Sequence, residues 1–163
     1  GDRKENKAGA VQGLISSAAD LEVKDFRYSQ VGDPDFQWEV RADRAWYRKQ
    51  REEVHLEIVN MRLVSGSGRT YRMRGDRGTM DNETGNMELS GSVEITTDEG
   101  ERLRTDVLHY RSLDRLVFTD DPVEMHSDGM NLSGRGMTFA LEEDSLVLLS
   151  EVKAVITDVS LSH

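Results

Sequence analysis

Three sets of residues in this chain could do chemistry. The first is Arg74-Gly75-Asp76 in "YRMRGDRGTM", the tripeptide of cell-adhesion ligands. The second is the histidines, His55, His109, His126 and His163, which could ligate a metal or move a proton. The third is the carboxylates, dense enough in "DNETGNME" (81–88) to suggest a calcium loop. Spacing argues against the last two. No two histidines stand at ligand spacing, and His55 and His126 alternate with apolar neighbours, which turns them to solvent. A calcium loop opening at Asp81 needs a bidentate acid where Ser92 stands. No nucleophile elbow, phosphate loop or dinucleotide fingerprint occurs. The residues therefore argue for a protein that is not an enzyme, with no catalytic residue, cofactor or metal.

The tripeptide has copies. Arg41-Ala42-Asp43 and Arg104-Thr105-Asp106 repeat it, and Ser133-Gly134-Arg135 is a degenerate fourth. Their centres at 42, 75, 105 and 134 are separated by 33, 30 and 29 residues, a spacing typical of repeat architectures. Apolar pairs follow each centre: Val54 and Leu56, Met87 and Leu89, Leu116 and Phe118, Leu146 and Leu148. The triplet is thus a repeat position inside a strand, where a small central side chain suits, and not an adhesion signal.

Within each unit the apolar period is two. Phe36, Trp38, Val40 and Ala42 alternate with Gln37, Glu39, Arg41 and Asp43. "YRMRGD" and "MELSGSVEI" alternate in the same way. Such alternation makes half-buried strands with one dry and one wet face. "SGSGR", "DNETGN", "TDEGE", "SDGMN" and "LEEDS" supply the turns between them. Leu21 and Val23 are out of phase with Phe26 and Tyr28, which places a kink at Asp25. The fold class is all-β, with a β domain over 21–159. Residues 1–20 form a lead-in, either flexible or a short helix, since Val11, Leu14, Ile15 and Ala18 keep helical spacing.

Composition narrows the partners. The formal net charge of -10 disfavours nucleic acid, whose affinity rests on cations meeting phosphate. Cysteine is absent, which excludes disulfides and thiolate sites. The polar opening "GDRKENKAGAVQG" reads as a chain cut downstream of a membrane anchor.

The assembled pattern resembles the LptC type of lipopolysaccharide-transport domain, within the LptA/LptC/OstA-like β-jellyroll family. The resemblance covers Phe36 to Ile156. It rests on Trp38 with Ala42-x-x-Ala45-x-Tyr47, on Gly75, Gly85 and Leu89-x-Gly91-x-Val93, and on Gly100, Leu103-x-Thr105 and Tyr110. Thr119 with Pro122-Val123 and Leu132-x-Gly134-x-Gly136 complete it. The resemblance implies a single jellyroll of two antiparallel sheets forming an open V-shaped groove. It implies a periplasmic domain of an inner-membrane protein with one N-terminal anchor. Such a domain receives lipopolysaccharide from the inner-membrane ABC transporter and passes it to a soluble bridge protein.

On that reading the dry face lines a groove for acyl chains: Phe36, Trp38, Val40, Leu56, Tyr71, Met73, Leu89, Val93, Phe118, Met125, Leu132, Phe139 and Leu148. Gly75 and Gly91 sit where a backbone or ligand comes close, and Gly134 and Gly136 at a bend. Leu146, Leu148, Val152 and Val155, in the most apolar stretch of the chain, form the edge that takes the bridge protein. The edge at Leu21–Tyr28 faces the transporter's jellyroll domain, and either edge could also pair with a second copy. The net negative charge keeps lipid phosphates outside the groove, so affinity must come from apolar contact, at about 0.8 kcal/mol per buried methylene. Three alternatives stay open: the soluble bridge protein itself, a purely structural β-repeat domain with a filled core, and a carbohydrate-active jelly roll.

Overall fold

The computed structural model describes residues 20–33 and 36–156, with the side chains at 20, 31–33 and 36 outside that description. The expected lead-in over 1–20 therefore lies outside the described residues, except that Asp20 opens the first strand. Nine strands follow: β1 Asp20–Asp33, β2 Phe36–Arg48, β3 Glu53–Val64, β4 Thr70–Asp81, β5 Met87–Thr97, β6 Arg102–Arg111, β7 Leu116–Ser127, β8 Met130–Ala140 and β9 Ser145–Ile156. One short 3-10 turn, Lys49–Arg51, joins β2 to β3. The strands form one antiparallel sheet whose order is the chain order, so β1 and β9 are its edges.

The turns are built from the residues expected of them. Asp128-Gly129 closes the β7–β8 hairpin in two residues, a pair that suits the twist of a tight hairpin. In the turn after β4, one carboxylate oxygen of Asp81 accepts the backbone N–H groups of Glu83 and Thr84 at 2.8 and 3.0 Å. Those two bonds lower the pKa of Asp81 and make "DNETGN" a hydrogen-bonded turn.

Each strand changes direction near its middle, and the repeated triplets mark the place. The pairing register shifts between Arg74 and Arg77, Ser90 and Val93, Arg104 and His109, Thr119 and Pro122, and Ser133 and Arg135. Left-handed backbone angles lie along the same line: Asp25 (φ 55°), Ile58 (54°), Gly91 (82°), Ser92 (48°), Gly136 (80°) and Glu151 (53°). An extra residue in one strand of a pair bends and twists the ladder. The kink expected at Asp25 is the first of these bends. Arg74-Gly75-Asp76 lies inside β4, far from any exposed turn, and a β-carbon on Gly75 would come within 3.3 Å of Leu89 Cβ and of the Ser90 carbonyl oxygen.

Candidate functional site

The inner face is organised as ladders of directly paired apolar side chains. One runs Tyr28, Val40, Met61, Met73, Ile95, Leu103, Met125, Leu132 and Ala154, one residue from each strand. A second, beyond the bends, runs Leu21, Tyr47, Val54, Met80, Met87, Tyr110, Val117, Phe139 and Leu146. Directly opposed side chains are the unit of sheet stabilisation. Here the opposition continues across the whole sheet.

Ring contacts show how the two ladders meet. Trp38 of β2 lies 6.1 Å from Tyr110 of β6, and Tyr71 of β4 lies 5.0 Å from Phe139 of β8, edge to face. In both pairs the first ring belongs to the half-strand before the bend and the second to the half-strand after it, four strands on. Strands four apart in a flat sheet would be about 19 Å apart, so the sheet is rolled. The two walls expected as separate sheets are the two halves of the same bent strands.

This offset explains where the roll is closed. The second ladder is buried from Tyr47 to Phe139. The first is buried only from Val40 to Leu103, and Met125 and Leu132 are half-buried. No strand four positions beyond β6–β9 exists among the described residues to cover them. By alternation from Leu132 opposite Ala154, Val152 and Ile156 share the inner face, and they are 56% and 69% exposed. The interior thus opens along the halves of β7–β9 that carry the first ladder, around Met125, Leu132 and Ala154.

A cavity of about 110 Å³ leads in from this side, lined by Tyr71, Ile95, Leu103, Met125, Phe139 and Leu146 among others. That holds about four waters, far less than a lipid with several chains. Its rim is polar. The Tyr71 hydroxyl donates to Asp144 Oδ1, and Ser67 Oγ donates to Asp144 Oδ2 at 2.8 Å. Burial, and then the Asp144 carboxylate, push the Tyr71 phenol well above its ordinary pKa. The Arg69 guanidinium stands 5.8 Å over the Tyr71 ring and pairs with Glu99 and Glu101. This latch ties the turn after β3 to the turn after β8 across the mouth. No sequence pattern flagged it, because its members lie 73 and 77 residues apart.

The expected lining residues fall into three groups. Trp38, Val40, Leu56, Tyr71, Met73, Leu89, Val93 and Phe139 are buried and touch one another in a closed core. Trp38 also donates from Nε1 to Gln30 Oε1 at 2.8 Å. Met125 and Leu132 are half-buried at the open end, and Leu148, opposite buried Met137, is half-buried on the edge strand β9. Phe118 is on the other face, which corrects its place in the lining. It stacks on His109 at 5.1 Å and carries the Arg111 guanidinium at 5.5 Å. Val117 and Thr119 take the inner positions, in phase with Val123. The Phe36 side chain lies outside the described residues.

The four expected edge residues do not share one face. Leu146 and Leu148 pack inward on the core, Val152 lies on the open inner face, and Val155, opposite Asn131, points outward. All four belong to β9, a true sheet edge. Of the glycines, Gly91 needs its left-handed conformation, and a β-carbon there would sit 2.8 Å from the Asp76 side chain. Gly136 is left-handed too, with Leu149 Cδ1 at 3.0 Å from where a β-carbon would be. At Gly134 the nearest atom is the Ser150 carbonyl oxygen, at 3.2 Å.

Among the described residues no cluster of His, Asp or Glu is arranged to hold a metal, and no helix is long and apolar enough to cross a membrane. Comparison with known proteins gives a family and a fold. Residues 4–157 match the model of the family described as "Lipopolysaccharide-assembly, LptC-related". No curated protein matches the sequence. Among solved structures the roll is similar to LptH, "the LptA homologous periplasmic component of the conserved lipopolysaccharide transport device from Pseudomonas aeruginosa", with a TM-score of 0.56 at 11% identity. The match covers 74% of this chain and 95% of that one, and it shows a shared β-jellyroll fold.

Proposed function

The chain belongs to the LptC-related lipopolysaccharide-assembly family, and on that premise we propose that it is a periplasmic carrier that holds the acyl chains of lipopolysaccharide in its rolled interior and passes them on. It acts by binding alone and catalyses no reaction. The observation that carries this reading is the apolar ladder that crosses all nine strands in register yet loses its cover from β7 onward. A purely structural roll gains nothing by leaving Val152 and Ile156 exposed on an inner face, whereas a carrier needs an entrance.

The small cavity sets the mechanism. Several acyl chains cannot enter the closed waist, so the walls must part, and the uncovered halves of β7–β9 are the cheapest place to begin. Each methylene that moves from water into the roll returns about 0.8 kcal/mol, which offsets the apolar packing given up when the walls separate. Phosphates and sugars stay at the rim, in a chain whose net charge of -10 does not favour drawing them in. Directional movement needs energy from an outside source, consistent with an inner-membrane ABC transporter as donor.

The two sheet edges suit the two hand-over partners. β9 offers unpaired backbone groups and few charges, with Glu151 and Lys153 alone interrupting Ser145–Ile156, so a strand of a soluble bridge protein can extend the sheet there. β1 would meet the transporter's own jellyroll domain. An N-terminal membrane tether completes this arrangement. Native mass spectrometry with lipopolysaccharide tests the core of the proposal: a stoichiometric complex supports it, and none at concentrations where lipid is monomeric overturns it. Placing proline at Leu148 or Val152 removes a ladder donor from β9. It is expected to abolish bridge-protein binding in a calorimetric titration while lipid uptake persists.

A further inference from the structure

The outer face of the half-strands that carry the first ladder has a charge opposite to that of the whole chain. The register places Arg27, Arg41, Asn60, Arg74, Glu94 and Arg104 in one row, with Glu124 beyond them. The next row holds Ser29, Glu39, Arg62, Arg72, Thr96 and Arg102. All seven arginines are exposed. Arg27 faces Arg41 directly, and Arg62 faces Arg72. Like charges in direct opposition destabilise a sheet, so this arrangement has a cost in the free protein.

The carboxylates of this face do not remove that cost. Glu39 is paired with Arg41 at 3.3 Å, and Glu94 lies between Arg104 at 3.2 Å and Arg102 at 3.6 Å. Asp25, Asp43, Asp76 and Asp106 border the patch along the line of bends. None forms a salt bridge with Arg27, Arg62, Arg72 or Arg74 among the described residues. Four arginines on three strands, β1, β3 and β4, are left over, spread across about 14 Å, three interstrand spacings.

We propose that this face docks the domain on a phosphate-bearing lipid bilayer, with Arg62, Arg72 and Arg74 at its centre. The patch is broad and belongs to a sheet face. Its two rows carry no large apolar side chain, and Ile58 at the line of bends is the single exposed one on its border among the described residues, whereas interfaces between proteins draw most of their energy from clusters of such anchors. A headgroup layer asks only for charge, and guanidinium groups bind phosphate in two-point fashion. The patch is on the opposite side of the wall from the apolar interior, so a chain held in the roll cannot bring its own phosphates to these residues. Docking here would hold the domain flat on a membrane with its mouth free.

Co-sedimentation with vesicles tests this. The chain is expected to bind vesicles of equimolar phosphatidylcholine and phosphatidylglycerol, to ignore pure phosphatidylcholine, and to release as salt rises. Each arginine near an anionic surface contributes about five-fold in partition. The combined Arg62→Gln, Arg72→Gln and Arg74→Gln variant should therefore lose about a hundred-fold. It should keep its complex with lipopolysaccharide in native mass spectrometry, which separates failure here from failure of the carrier reading. Replacing the same three by lysine keeps the charge and should keep binding, should the glutamine variant fail to fold. Arg111→Gln, Arg115→Gln and Arg135→Gln together make the same change in net charge elsewhere and should bind nearly as the parent does. Equal losses in the two glutamine triples, equal binding to neutral vesicles, or capture by soluble polyglutamate in place of vesicles would each overturn the proposal.

Discussion

Val40 and Leu132 belong to one ladder on one face, yet Val40 is fully buried and Leu132 is half-exposed. Their residue types are alike, and each pairs with apolar neighbours across the sheet. What differs is the wall opposite. In this roll the half-strand that carries the first ladder is covered by the second-ladder half of the strand four positions on, as Trp38 is by Tyr110 and Tyr71 by Phe139. Strands β2 to β5 have that cover and β7 to β9 do not. Openness is therefore a property of position in the roll rather than of local sequence, and one repeated pattern makes a core in one place and an entrance in another.

Truncation should separate the two regions most strongly. Leu56→Ala in the closed waist is expected to cost about 2–5 kcal/mol of stability, measured by chemical unfolding, with lipid affinity per folded molecule little changed. Leu132→Ala at the mouth should cost under about 1.5 kcal/mol, because its site is already partly hydrated, yet weaken lipid uptake. Equal stability losses would erase the distinction. Next in size, Gly91→Ala forces a β-carbon into a left-handed residue against Asp76, with a penalty of about 1–2 kcal/mol in the backbone alone. A variant of unchanged melting temperature would show that the bend is not held there.

Smaller still is Tyr71→Phe. It removes the hydroxyl donated to Asp144 while Ser67 keeps its bond, and a loss of about 1 kcal/mol is expected. Because the latch crosses the mouth, faster lipid uptake should accompany that loss, and slower uptake would argue against a latch.

The smallest effect concerns pH. Desolvation in the interior pushes the Tyr110 phenol from an ordinary 10.0 up to about 12. The folded state favours the neutral phenol. Its contribution is therefore fully present below pH 10 and is lost as pH rises toward 12. Ultraviolet titration beside chemical unfolding should show Tyr110→Phe flattening that alkaline decline.

Much of this was legible from spacing. The triplet centres mark the bends, because a small residue is needed where the neighbouring backbone closes in, as the Ser90 carbonyl does on Gly75. The phase break at Asp25 was visible for the same reason. Phe118 was misplaced because Leu116 and Phe118 are greasier than Val117 and Thr119. Counting back from Val123 would have chosen the latter pair, and the Thr119 hydroxyl is satisfied by accepting the Asp121 N–H at 3.1 Å. The four-strand offset has no signature in any single repeat, since it depends on how far each bend turns the sheet. The latch of Tyr71 and Asp144 follows from that offset and was equally hidden.

The central claim, that the roll takes acyl chains through the uncovered halves of β7–β9, is tested most directly by site-specific photo-crosslinking to lipopolysaccharide. Probes at Met125, Leu132 and Val152 should label lipid first and most heavily, probes at Trp38 and Leu89 later or less, and probes at Glu39, Arg41 and Glu88 on the outer face not at all. Equal labelling of inner and outer positions, or labelling that begins at Trp38 and spares Leu132, would contradict it.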